Sequence, residues 1–134
     1  MKILLLVFSI FIGATTMSNA SQFVFKSADG GVINLEDFRG KPVLVVNTAS
    51  RCGFTGQLET LQKLSDSYQD EGLTVIAVPS NDFNQELATT EAVKEFCSVN
   101  YNLTLPMTEI TSVRGKNAHP FFKWVKETTG FSPK

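Results

Sequence analysis

Val43-Leu44-Val45-Val46-Asn47-Thr48-Ala49-Ser50-Arg51-Cys52-Gly53-Phe54-Thr55-Gly56 is the stretch whose reading decides the fold. Its first half is a nearly continuous β-branched and apolar run, the pattern of a strand buried on both faces, and such a strand belongs at the centre of a sheet. Gly40-Lys41-Pro42 punctuates the chain before it. Past Thr55 the period changes. Leu58, Leu61, Leu64 and Tyr68 recur at helical spacing with polar residues on the other face, so a helix is predicted to begin between Thr55 and Gly56 and to end near Gly72. Leu73 to Val78 reads as a second buried strand, closed by Pro79. Strand, helix and strand over positions 43 to 78 form a βαβ unit, which requires parallel pairing and a right-handed crossover.

Upstream, Gln22 to Lys26 alternates as a strand does, Asp29-Gly30-Gly31 signals a turn, and Val32 to Leu35 resumes, which predicts an N-terminal hairpin. Downstream, a polar segment from Ser80 to Ala88 leads to Thr89-Thr90, whose hydroxyls can cap a helix carrying Ala92, Val93, Phe96 and Cys97. Leu105-Pro106-Met107 is expected to open another strand near Ile110, and Pro120 to sit in the first turn of a helix holding Phe121, Phe122, Trp124 and Val125. The elements add up to a small α/β domain: an N-terminal β-hairpin and a mixed central sheet flanked by helices, in a thioredoxin-like arrangement. No long insertion follows the second strand of the βαβ unit, so a monomer is expected.

Composition narrows the function classes. Of 134 residues 43% are apolar, as in ordinary globular chains, and twelve Lys and Arg against thirteen Asp and Glu leave a net charge of −1. That balance excludes the basic surplus a nucleic-acid partner requires. The N-terminus has the three parts of a secretory signal: Met1-Lys2, the apolar run from Ile3, and Ser18-Asn19-Ala20 before a cut. The run from Ile3 to Ala14 is too short for a bilayer core, which takes about 20 residues. Cleavage after Ala20 is expected, leaving a single domain over 21–134, exported, periplasmic or secreted, with no stable membrane insertion. His, Cys and carboxylates nowhere show ligand spacing, so neither a metal nor a cofactor is expected.

Cys52 and Cys97 are the two cysteines, 45 positions apart. In an oxidising compartment an even pair first suggests a structural disulfide, which the chain-entropy treatment credits with about 4 kcal/mol for a loop of this size. The position of Cys52 suggests chemistry instead. It lies where a central parallel strand hands over to a helix, the place where open α/β sheets carry their sites, and a helix N-terminus favours thiolate over thiol. At a pKa of about 8.5 roughly 3% of a thiol is ionised at pH 7; at about 6 the figure is near 90%. That shift takes about 3.4 kcal/mol, while a helix end supplies at most about 2, so other donors must converge on the sulfur. Thr55 stands where a Cys-x-x-Cys motif would have its second thiol, which excludes dithiol exchange at one motif. A single activated thiolate attacks an O–O bond and becomes a sulfenic acid, with which a second thiol can condense. Cys97 is the candidate for that thiol. Arg51 can add positive potential beside Cys52, and Asn81 can support the site through loop hydrogen bonds. His119, before Pro120, reads as a capping or surface residue, and Trp124 as core.

The segment Val46 to Thr55 resembles the signature around the peroxide-reacting residue of glutathione peroxidases. Val78-Pro79-Ser80-Asn81-Asp82-Phe83-Asn84-Gln85-Glu86 is similar to the family's second signature. Glu95-Phe96-Cys97 with Leu105-Pro106-Met107 is similar to the next, and Gly115 to Trp124 to the one after. The resemblance implies that Cys52 is the peroxidatic cysteine, that Gln85 belongs to the catalytic tetrad, and that Cys97 is the resolving cysteine of members that run on thioredoxin. It departs from the pattern in three ways. Phe83-Asn84-Gln85 is one residue shorter than usual, Ser80 replaces a family cysteine, and the Trp-Asn pair expected after Phe131-Ser132-Pro133-Lys134 is absent from the sequence, so the domain is expected to lack its C-terminal segment. The implied activity is reduction of hydrogen peroxide or organic hydroperoxides, with a thioredoxin-like protein or glutathione as reductant. Two alternatives stand beside it: a non-catalytic exported thiol sensor that relays its disulfide, and an inactive fragment of the family.

Overall fold

A computed structural model describes residues 19–134. The secretory signal expected over residues 1–20 lies outside the described residues except for its last two positions.

A hairpin opens the described chain. β1 (Val24–Lys26) pairs antiparallel with β2 (Val32–Asn34), Phe25 opposite Ile33. Gly30 and Gly31 make the turn with φ of 87° and 73°, a conformation that costs a residue with a Cβ. Phe25 and Ile33 face inward and are buried, while Val24, Lys26 and Val32 face out, the alternation of a half-buried ribbon.

The βαβ unit follows as β3 (Val43–Thr48), α1 (Gln57–Tyr68) and β4 (Thr74–Pro79), with β3 and β4 parallel from Val43 opposite Thr74 to Thr48 opposite Pro79. A 3₁₀ turn over Gln69–Glu71 and Gly72, at φ 96°, bring the chain from the helix into β4. α2 (Thr90–Tyr101) starts at Thr89, whose hydroxyl accepts from the Ala92 N–H at 3.2 Å, and stops at Asn102 with φ 47°. α3 (Pro120–Thr129) has Pro120 in its first turn and His119 as its cap; the ring Nδ1 accepts from the Phe121 N–H at 3.2 Å. Proline costs nothing there because its missing N–H would have had no helical partner.

The strand expected near Ile110 is reduced to two bridges. Ala77 pairs with Met107 in parallel, and Thr108 pairs with Ser27 antiparallel. The Ala77 N–H donates to Pro106, the Thr108 N–H to Ala77, the Ala28 N–H to Met107 and the Glu109 N–H to Lys26. Residues 106–109 thereby join β4 to the hairpin, so the sheet is mixed as expected. Pro106 has no N–H to give to the ladder, which keeps this segment from pairing over its whole length.

The central position expected for β3 is not what the structure has. Among the described residues β3 is bonded only to β4, and it is half-buried except at Leu44, which is 36% exposed. β4 holds the centre instead: Val75, Ile76, Ala77 and Val78 are each at 1% exposure or less. An apolar run marks a strand able to be buried on both faces, but which neighbours arrive to bury it is a long-range matter. Alternate residues of β4 feed two cores. Ile76 and Val78 pack with Phe25, Ile33, Leu35, Val113, Phe121 and Phe122, and Ala77 packs with Leu58, Val93, Cys97 and Met107.

Candidate active site

The chain leaves β3 at Thr48 and passes through a series of turns to α1, which begins at Gln57 after the cap Gly56, within two residues of the start that the periodicity predicted. The Thr55 N–H and hydroxyl both donate to the Cys52 carbonyl, and the Gln57 and Leu58 N–H groups donate to Phe54 and Thr55. These bonds wind the loop down onto α1. The cap residue Gly56 has no side chain to offer, which leaves the first helical N–H groups to the loop carbonyls. Cys52 therefore stands four positions before the cap, outside the first turn where the dipole acts most strongly.

The Cys52 sulfur is partly exposed and accepts one hydrogen bond, from the Phe54 N–H at 3.4 Å. It lines a cavity of about 280 Å³ together with Asn47, Phe83, Gln85 and Lys134, and a narrower one of about 60 Å³ toward Leu58 and Leu61. Phe54, beside the mouth, is 72% exposed. Larger hollows occur elsewhere, one of about 520 Å³ around His119 and one of about 330 Å³ between Arg39 and Trp124, but neither is lined by a cysteine.

Gln85 reaches the Cys52 cavity, though among the described residues no hydrogen bond joins its amide to the sulfur. Its backbone is what is fixed: the Gln85 carbonyl accepts from the Arg51 N–H at 2.8 Å. Arg51 thus meets the site through its main chain, and its exposed side chain does not line either cavity beside the sulfur. Asn81 sits under the loop, with its side-chain oxygen accepting from the Glu86 N–H at 3.2 Å and its carbonyl from the Asn84 N–H at 2.9 Å. Asn84 turns the chain at φ 57°, a region that asparagine tolerates better than most residues. Cys97 is a free thiol like Cys52, so the structure holds no bridge between them. It is 3% exposed, on α2 in the second core cluster, and burial first, with the Glu86 charge second, pushes its thiol up to about 11.

Two carboxylates organise this region, and sequence reading assigned neither. Asp82 accepts from the N–H groups of Val113 (2.6 Å) and Arg114 (3.0 Å) and from the Ser112 hydroxyl, while the Arg114 guanidinium donates to the Asp82 carbonyl and lies 4.1 Å over the Phe83 ring. Burial pushes the Asp82 carboxyl up, but the Val113 and Arg114 amides and the Ser112 and Ser80 hydroxyls outweigh it and hold it below its ordinary value. Glu86, 6% exposed, accepts on Oε1 from the Ser50 N–H at 3.0 Å and the Leu87 N–H at 2.8 Å. Both residues lie in the block Val78 to Glu86, but the partners of Asp82 stand 30 to 32 positions on and Ser50, the distant partner of Glu86, 36 positions back, so no local pattern announces these bonds.

A thiol on a turn, open to solvent on one side and flanked by an amide-bearing loop, can act as a nucleophile toward a small electrophile entering the cavity. Among the described residues no three His, Cys, Asp or Glu side chains gather as a metal site.

Comparison with known proteins bears on this arrangement. Residues 20–126 match the sequence model of the family described as glutathione peroxidase. The chain is 47% identical over 103 residues to a glutathione peroxidase homolog of Bacillus subtilis, covering 76% of this chain and 64% of that relative, so it spans only part of the relative's length. The crystal structure of a T. cruzi protein named GPX1 superposes with a TM-score of 0.65 at 30% identity, covering 84% of this chain and 67% of that one. A thioredoxin-family thiol:disulfide interchange protein of Chlorobium tepidum superposes with a TM-score of 0.56 at 17% identity, covering 66% of this chain and 57% of that one, and shares the fold alone.

Proposed function

Because the chain belongs to the glutathione peroxidase family, we propose that it is a thiol peroxidase in which the Cys52 thiolate attacks the O–O bond of hydrogen peroxide or an organic hydroperoxide. The sulfur takes one oxygen and becomes a sulfenic acid, and the other oxygen leaves with a proton as water or alcohol. The Cys97 thiol then condenses with the sulfenic acid; an S–S bond forms, and the sulfenic oxygen departs as water with the thiol proton. A dithiol of a thioredoxin-like protein, or two glutathione molecules, restores both thiols and is oxidised in turn.

The observation that carries this reading is the setting of Cys52: a partly exposed sulfur at the end of a parallel strand, in a cavity shared with Gln85, with an amide N–H directed at it. Gln85 is assigned the second position at the reacting oxygen. Its amide is close enough to line the cavity and free enough to turn toward a bound peroxide. Cys97 is assigned the resolving role. The bridging step requires α2 to loosen, since disulfide geometry brings the two Cα atoms to about 5.5 Å and Cys97 lines neither cavity beside Cys52.

Mass spectrometry after one equivalent of peroxide tests the assignment. A Cys52–Cys97 bridge is expected in the unmutated protein and a Cys52 sulfenic acid in Cys97→Ser; an unmodified Cys52 in both refutes it. A second reading, a sensor that reacts once and passes its disulfide on, is favoured by the single N–H at the sulfur, which gives less activation than the roughly 3.4 kcal/mol a reactive thiolate needs. Steady turnover with excess peroxide and reductant rejects the sensor.

The proposal extends to a monomer exported to a periplasm or secreted. Asn19 caps the first turn by accepting from the Ser21 N–H at 2.7 Å, the Asn19 and Ala20 carbonyls accept from the Gln22 and Phe23 N–H groups, and Ala20 packs on the main core, so cleavage after Ala20 removes these three bonds and one small contact from the domain edge. N-terminal sequencing of the exported protein tests the cut.

A further inference from the structure

Ser50 and Glu86 are both buried, at 7% and 6% exposure, and each carries a buried polar atom with no hydrogen-bond partner among the described residues: the Ser50 hydroxyl oxygen and Glu86 Oε2. Beside these orphans Glu86 Oε1 holds two backbone amides, Ser50 from the Cys52 loop and Leu87 from the segment leading to α2. The Arg51 N–H to Gln85 carbonyl bond runs alongside, so two consecutive residues of the Cys52 loop are tied to two consecutive residues of the neighbouring loop. Leu87 packs on the cluster that contains Cys97 and Val93. One carboxylate thus joins the backbone two positions before the reacting sulfur to the apolar cover of the second sulfur.

We propose that Glu86 is a positioning residue for the bridging step, a latch that keeps the Cys52 loop and the cover of Cys97 closed together and releases both in one opening. This rests on Cys97 as the resolving thiol. Charge-assisted bonds to two amides favour the closed state, whereas the unpartnered Oε2 and Ser50 hydroxyl penalise it, because each loses water on burial and gains nothing back. Opening rehydrates both atoms. It also moves a negative charge away from the Cys97 thiol, whose proton must leave before the sulfur can attack.

Alkylation of Cys97 with a small maleimide in a Cys52→Ser background reads the latch without peroxide. Glu86→Ala is expected to speed it by about tenfold and to speed exchange of the Ser50 amide by a similar factor, while Glu86→Gln, which keeps an oxygen acceptor, stays within about threefold of the parent. A Val113→Ala protein, weakened in the other core cluster, serves as the control matched for thermal midpoint. An unchanged alkylation rate in Glu86→Ala overturns the proposal, as does acceleration no greater than the control's or acceleration without faster Ser50 exchange. If Glu86→Ala does not fold, the parent decides: Cys97 alkylation and Ser50 exchange must respond equally to low urea, and different slopes refute a shared opening. Single-turnover bridging separates the two assignments. Absence of a bridge in the unmutated protein removes the resolving role of Cys97, while the alkylation result still decides the latch.

Discussion

β3 and β4 are six residues each, apolar, parallel and bonded to one another, yet they live in different surroundings. β4 is closed in on every side, by residues 106–108 along its free edge and by a core cluster on each face, and four of its side chains are at 1% exposure or less. β3 is covered less completely, and Leu44 reaches 36%. The two cysteines divide the same way: Cys52 follows β3 in an open turn, and Cys97 lies in the cluster packed on Ala77 of β4. On the proposed function, reactivity belongs to the loosely covered half and stability to the closed one. A sulfur must meet solvent-borne substrate to react, and a strand must lose water on both faces to contribute most to folding.

The sharpest break in that comparison is Cys52→Ser, which is expected to lower peroxide consumption on the order of a thousandfold with little change in thermal midpoint; retained activity would move the chemistry elsewhere. Next come paired truncations of the two strands. Ile76→Ala, at a fully buried site, is expected to cost about 3 kcal/mol in urea unfolding and Val45→Ala about 1 kcal/mol, and equal losses would erase the contrast. Asp82→Ala removes an acceptor of three amide and hydroxyl donors and is expected to cost about 2 kcal/mol. Because the folded carboxyl is held below its ordinary value, this contribution is present above about pH 4 and is lost as pH falls through the folded value; an Asp82→Asn protein should lose that part of the acid dependence. Gln85→Ala should slow sulfenic acid formation by about tenfold or more, since the amide proposed to turn toward the reacting oxygen is lost even though it makes no bond to the resting sulfur; a change under about twofold would leave Gln85 a plain loop residue.

The smallest effect is at His119. Its Nδ1 accepts from the Phe121 N–H and its other ring nitrogen meets the Val24 carbonyl, an arrangement that fits the neutral ring with its proton on Nε2. Burial pushes the imidazole below its ordinary value, against the pull of Val24 toward the charged form. Its contribution is therefore complete above about pH 6.5 and lost as pH falls through the lower folded value, a decline that His119→Asn should flatten in denaturant titrations across that range.

The βαβ unit was legible because Val43 to Val78 changes hydrophobic period twice, and the helix starts at Thr89 and Pro120 because those residue types have strong local preferences. The start of α1 was legible to within two residues, but the turns from Ala49 to Gly56 that lead into it were not. Turn residues there satisfy one another's backbone before the helix begins, and periodicity registers only the apolar face that follows. Leu105-Pro106-Met107 was read as the opening of a strand near Ile110, whereas Pro106 and the approach of β4 and the hairpin leave room for two bridges, at Met107 and Thr108.

Residue order alone set the elements, the turn glycines and the placing of a lone thiol after a β-strand, for these follow from φ/ψ preference and from the spacing of apolar side chains over a few residues. Tertiary structure alone decided that β4 rather than β3 is enclosed, that Asp82 braces the loop carrying Gln85, and that Glu86 ties the Cys52 loop to the segment leading into α2. Each of those depends on groups brought together from distant parts of the chain, and burial and hydrogen bonding between them exist only once the chain has folded.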